Sequence, residues 1–182
     1  MSALKRIKKL FVLIVLSLFL QNCGGVNLKD TNKSPSNKLS ESFFIGNGVS
    51  QYHIKNQELS SNFDDSENSF DATFRKNEAD NTLCNINLTV ISNFKIEAES
   101  DFNLIVNNTT IESTKTTVIY NENANDKIVN RISTKVEYAS FLKAMNTDNF
   151  QFVISNKENT ITLKPSKKTL KNIAKLRQSF LN

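Results

Sequence analysis

Few residues in this chain could carry acid-base or nucleophilic chemistry: one histidine, His53, two cysteines, Cys23 and Cys84, and 18 carboxylates. A zinc site usually draws on two or more nitrogen or sulfur ligands, and a nucleophilic triad needs an imidazole base, so either would have to be built on His53. Flanked by Tyr52 and Ile54 in a strand-like run, His53 reads as an ordinary strand residue. Cys84 shares its even parity with Ile86 and Leu88, where a free thiol behaves as a small hydrophobe, so a Cys84–His53 nucleophile pair is not expected. Asp64, Asp65, Glu67, Asp71, Glu78 and Asp80 crowd the stretch 62–81 among Phe63, Phe70 and Phe74. Calcium loops set their acids around a turn-forming glycine, and this stretch has none, so it reads as a solvated acidic loop carrying a short strand near Phe70–Phe74. Gly46-Asn47-Gly48 lacks the lysine and hydroxyl of a phosphate loop and sits between apolar runs, which makes it a tight hairpin turn. No catalytic residue, cofactor or metal site is assigned, and the chain is read as a non-enzyme.

The first 22 residues have a different character. Lys5, Arg6, Lys8 and Lys9 precede Leu10–Leu20, which is apolar except for Ser17. As a helix this core would be only about 16 Å long against roughly 30 Å of bilayer hydrocarbon, so residues 1–22 read as a signal peptide and not as a spanning anchor. Cys23 comes next, in the run Leu20-Gln21-Asn22-Cys23-Gly24-Gly25. This resembles the lipobox of bacterial lipoproteins, in which a leucine stands three before a cysteine that receives diacylglycerol and becomes the mature N-terminus. Leu20 and Cys23 match that pattern, whereas Gln21 and Asn22 stand where the family prefers small residues. The resemblance covers residues 1–25 alone and names no family for the domain behind them. It implies lipidation at Cys23, a membrane as partner and the cell envelope as address. Gly24, in place of an inner-membrane-retaining Asp, implies the outer membrane. Ordinary cleavage would instead release a soluble periplasmic product. With Cys23 lipidated, Cys84 has no disulfide partner; without the lipid, a Cys23–Cys84 bridge stays open.

The formal charge of +5 belongs to the leader: beyond it, 19 Lys and Arg face 18 Asp and Glu. A nucleic-acid surface needs clustered cations in the folded part, so no nucleic-acid partner is expected. The one basic cluster left is C-terminal, with six cations and no acid from Asn159 onward. Residues 23–41 form a polar, Pro-containing stretch after the cysteine that cannot bury enough surface to order itself, and they are read as a disordered tether.

Residues 42–182 are read as a single α+β domain. Phe43–Ile45 and Val49–Ile54 flank the hairpin turn. Even positions from Cys84 to Ala98 are largely apolar and odd ones largely polar, the period of a half-buried strand that must bend or bulge at such a length. Asp101 is placed in a turn. Phe102, Leu104 and Val106 alternate, Asn107-Asn108 mark a loop or bulge, and Thr110–Tyr120 is β-branched. A turn over 121–126 leads to the alternation Ile128, Asn130, Ile132, Thr134 and Val136. Tyr138–Asn146 has helical spacing, Phe150–Ile154 and Ile161–Leu163 make a returning hairpin, and Pro165 precedes an amphipathic helix near Lys167–Leu181. In that helix Leu170, Ile173, Ala174, Leu176, Phe180 and Leu181 form an apolar face, Lys167, Lys168, Lys171 and Lys175 its basic neighbour, and Arg177 lies at the apolar edge. The expected architecture is an antiparallel β-meander, as a sheet or sandwich, with a short helix and a C-terminal amphipathic helix. Most of the phenylalanines are read as core.

Three function classes remain. The favoured one is an envelope lipoprotein, a non-enzymatic binding or structural module with an envelope protein as partner. A soluble periplasmic inhibitor or immunity-type binding protein is the second, and an envelope hydrolase the third.

Overall fold

Alternation of apolar and polar residues forces extended chain wherever one side of it is to be buried, and most of this domain obeys that rule. The structure, a computed structural model, describes residues 38–46, 48–62, 67–76 and 83–180; Cys23, the leader and most of the expected tether lie outside them. Ten strands run in chain order: β1 (Ser40–Gly46), β2 (Val49–Ser61), β3 (Asn68–Lys76), β4 (Leu83–Ser92), β5 (Asp101–Val106), β6 (Thr109–Glu112), β7 (Thr117–Ala124), β8 (Lys127–Glu137), β9 (Phe150–Ser155) and β10 (Thr160–Pro165). Among the described residues two helices accompany them, α1 (Tyr138–Met145) and α2 (Lys167–Phe180).

All strand pairs are antiparallel, in the order β6-β5-β9-β10-β2-β3-β4-β8-β7, with β1 also on β2. The fold is therefore α+β, a mostly antiparallel sheet with one short and one C-terminal helix. Four strands, β1 to β4, succeed one another as a meander, while β5–β6, β7–β8 and β9–β10 are hairpins docked by non-local pairing. The sheet curls into a half-barrel: Phe70 in its middle lies 5.3 Å from Phe152 and 6.4 Å from Phe150, ring centre to ring centre, both on the distant strand β9. The alternating residues Cys84, Ile86, Leu88 and Val90, Phe102, Leu104 and Val106, and Phe150, Phe152 and Ile154 all point into this core.

Tight turns arise from residue type. Asn107 and Asn108, both at positive φ (49° and 64°), close β5–β6, and Asn125 (φ 59°) closes β7–β8, a conformation asparagine tolerates better than most residues. Gly46 (φ 98°) and Gly48 (φ 74°) do the same for β1–β2. The expected strand over 84–98 is shorter in the structure. It ends at Ser92, and the chain then crosses to β5, which begins at Asp101, the residue expected in a turn. The cause is Asn130, fully buried on β8, whose Oδ1 accepts the Ile96 amide at 2.8 Å. Its NH2 lies 3.0–3.4 Å from the Val90, Phe94 and Ile128 carbonyls and Ser92 Oγ. Ile96 keeps its place in the core as part of a crossing loop, with its carbonyl accepting from Asn121 at 3.2 Å.

The two helices pack on the sheet, α1 against β4, β5 and β8 and α2 against β2 and β10. From α1, Phe141, Ala144 and Met145 are buried, and Phe74 meets both Tyr138 and Phe141. Ser166 caps α2, its Oγ accepting the Thr169 amide at 3.1 Å, and the helix lies against β2 and β10. Its buried residues are Thr169, Ile173 and Leu176, while Ala174 faces solvent, so the seat of the helix is rotated from the expected face. The shift arises because Thr169 is held by β2, donating to the Glu58 carbonyl at 2.6 Å. Arg177 donates to the carbonyls of Met145 and Thr147 and pairs with Asp148 at 2.9 Å, so α2 also clamps the segment joining α1 to β9.

Candidate functional site

The residues with the most chemical potential in the described fold, His53 and Cys84, sit on opposite faces of one sheet. On β2, Tyr52 and Ile54 face the core and His53 faces outward, pairing across strands with Thr73, whose Oγ1 is 3.0 Å from His53 Nδ1. On β4, Cys84 points inward with no exposure and is a free thiol. Burial pushes its pKa well above the ordinary thiol value, which keeps it protonated and unreactive. Sheet pleating thus separates the two groups, and the fold does not assemble a thiol–imidazole pair from them. Nearby, Tyr138 also has its phenol pKa raised, by burial first and then by Cys84 and Tyr52. Among the described residues no three His, Cys, Asp or Glu side chains come together in a metal-binding group. Cys23 lies outside the described residues.

The outer face of the sheet carries a polar cluster that the sequence does not announce. Asp71, 7% exposed in its side chain, accepts from Asn87 Nδ2 at 2.7 Å and from Arg131 Nη2, and Arg131 Nη1 donates to Thr89 Oγ1 at 2.8 Å. Both carboxylate oxygens and both ends of the guanidinium are engaged, which makes this cluster a brace across β3, β4 and β8. Only the strand register could have found it, because Asp71 and Arg131 are 60 residues apart.

A cleft of about 530 Å³ opens between α1 and the β5–β6 hairpin. It is lined by the apolar Val106, Ile111 and Leu142 and by the polar Asn107, Thr109, Ser140, Lys143 and Asn146. The volume falls within the usual range for small-molecule sites. Thr147 Oγ1 donates to Asn107 Oδ1 at 3.1 Å and ties the hairpin turn to the segment after α1, fixing the mouth. Apolar side chains, hydroxyls, amides and one cation together can bind a ligand, and no nucleophile–base pair is among the lining residues. No signal in the sequence could have found the cleft, since its two walls meet only through tertiary packing.

The third surface is β1. Phe43, Phe44 and Ile45 are exposed, unlike the buried phenylalanines of β3, β5, β9 and α1. Here a sequence signal existed, because three successive apolar residues in a strand cannot all face one core. Comparison with family models, with curated proteins and with solved structures finds no match to this chain.

Proposed function

We propose that this chain is a bacterial envelope lipoprotein, a non-enzymatic binding or structural module held at a membrane, in the outer membrane, by lipid on Cys23. The observation that carries this reading is Leu20 three residues before Cys23, directly after a basic start and an apolar core of signal-peptide length. Two features of the fold support a binding role: a cleft lined by both apolar and polar side chains, and His53 and Cys84 held on opposite faces of the sheet. Its partners are the membrane, through the lipid, and an envelope protein.

The test is metabolic labelling with palmitate in a bacterium that processes lipoproteins. Label on the wild-type chain, its loss in Cys23→Ala, and a globomycin-sensitive mature mass support the proposal. A mature N-terminus elsewhere, without lipid, overturns it in favour of a soluble periplasmic binding protein.

A further inference from the structure

Packing takes up the centre of the apolar face that the sequence makes most conspicuous, the one on α2. Ile173 and Leu176 are fully buried, and Lys168 pairs with Glu58 on β2. The longest run of apolar residues left open is instead on β1, where Phe43, Phe44 and Ile45 are 44%, 60% and 46% exposed, with a shorter pair, Ile119 and Tyr120, on β7. Phe43 stands opposite Gln51 and Phe44 opposite Ser50, so the two rings leave opposite faces of the sheet, and Ile45 falls in the irregularity before Gly46. A protein lying on one face of the hairpin would cover one ring and leave the other wet. The interfacial layer of a bilayer is fluid and surrounds a tip from every side.

We propose that the tip of the β1–β2 hairpin inserts Phe43, Phe44 and Ile45 into the interfacial region of the bilayer that holds the lipid of Cys23, an inference that rests on the lipoprotein reading. The dimensions allow it. The chain enters β1 beside Lys55, whose amide donates to the Leu39 carbonyl at 2.9 Å. From there to Ile45 the strand runs about 20 Å. The residues between Cys23 and Leu39 can reach up to about 50 Å, so a chain starting at the bilayer surface can rise beside the hairpin while the tip returns to that surface. On the outer face, Phe43 and Gln51 are in line with Arg75, which donates to Gln51 Oε1 at 3.3 Å. Leu83 begins β4 two residues before Asn85, the partner of Thr73, and so lies level with Arg75. This row places a half-exposed leucine and a guanidinium beside the tip, the second suited to headgroup phosphates, and it ends on the exposed Glu137 opposite Leu83.

The chain has no tryptophan, so Phe44→Trp introduces a single reporter. The full lipidated protein carrying it is reconstituted into phosphatidylethanolamine–phosphatidylglycerol vesicles with brominated acyl chains. Insertion predicts a blue-shifted emission quenched about twofold or more by the bromolipid, as expected for side chains at the headgroup–acyl boundary. Ile45→Trp should behave alike, and Tyr120→Trp on β7 should stay unquenched. Phe44→Trp and Ile45→Trp both unquenched in a palmitate-labelled chain would overturn the insertion and leave the lipoprotein reading standing. A chain without the label overturns that reading separately. A blue shift that depends on protein concentration and not on bromolipid would assign the patch to a second copy of the chain and overturn the proposal.

Discussion

Asn130 on β8 holds the amide of Ile96 at 2.8 Å across the floor of the half-barrel, and both residues are completely buried. This bond connects the central strands to the loop that carries the chain over to β5. An asparagine at an inward position of an alternating strand looks like a defect in the pattern, yet here its amide supplies partners that a crossing loop would otherwise lack.

Asn130→Ala should therefore leave several buried backbone groups unpaired and destabilise the domain by about 2–4 kcal/mol. Asn130→Leu, which keeps the volume but has no polar atoms, should be no better. Urea denaturation monitored by circular dichroism checks both. A midpoint unchanged in either variant would show that water replaces the amide.

The brace on the outer face makes a second case. Removing Asp71 leaves the largely buried Arg131 without its carboxylate, and removing Arg131 leaves the buried Asp71 without its guanidinium. Asp71→Ala and Arg131→Ala should each cost about 1–3 kcal/mol, and the double variant should cost clearly less than their sum. A double-mutant cycle in denaturant measures the coupling. Additive losses would mean that the two side chains act independently.

Cys84 sets a dependence on pH. Its folded pKa is raised, so the folded state keeps a proton that the unfolded chain loses. The stability from this group is complete below the unfolded thiol value near pH 8.5 and falls as the pH rises above it, by up to about 1.4 kcal/mol per unit. Tyr138, also raised, adds to the decline above about pH 10. Denaturation midpoints between pH 7 and pH 10 should fall for the wild type and fall less for Cys84→Ala. Equal slopes would show that the thiol ionises freely in the folded state.

Helix α2 is docked and not free. Leu176→Ala should cost about 2–5 kcal/mol, as for other fully buried leucines, whereas Lys171→Ala on the exposed side should stay within about 0.5 kcal/mol. Deleting residues 166–182 should expose dye-binding surface, because Thr169, Ile173 and Leu176 cover the core over β2 and β10. Thermal melts with an apolar dye test all three. A truncated chain that melts unchanged would refute the docking.

Much of this protein was legible without a structure because alternation is local. A residue two places on returns to the same side of a strand, so Cys84–Val90, Phe102–Val106 and Phe150–Ile154 reveal inward sides on their own, and helical spacing marks Tyr138–Met145 and the last helix. The turns at Gly46–Gly48 and Asn107–Asn108 were legible for the same reason, as was the pattern of leader and cysteine from which the envelope reading is proposed, whereas β7 runs to Ala124 through most of the turn expected over 121–126. What no local pattern contains is which strand lies beside which. Pairing of β4 with β8, β5 with β9 and β10 with β2 depends on the total packing of residues far apart in the chain. That pairing created the Asp71–Arg131 brace, the cleft beside α1 and the early end of β4 at Ser92. It also decided the irregularity after Ile54, where β2 takes one extra residue against β3 and changes the side its odd residues face. As a result Gln57 is buried, bound to Asn172 of α2 at 3.1 Å, while His53 on the same odd parity points outward. Periodicity says which residues share a face; only the folded chain decides what covers it, because burial is a contact between segments and not a property of either one.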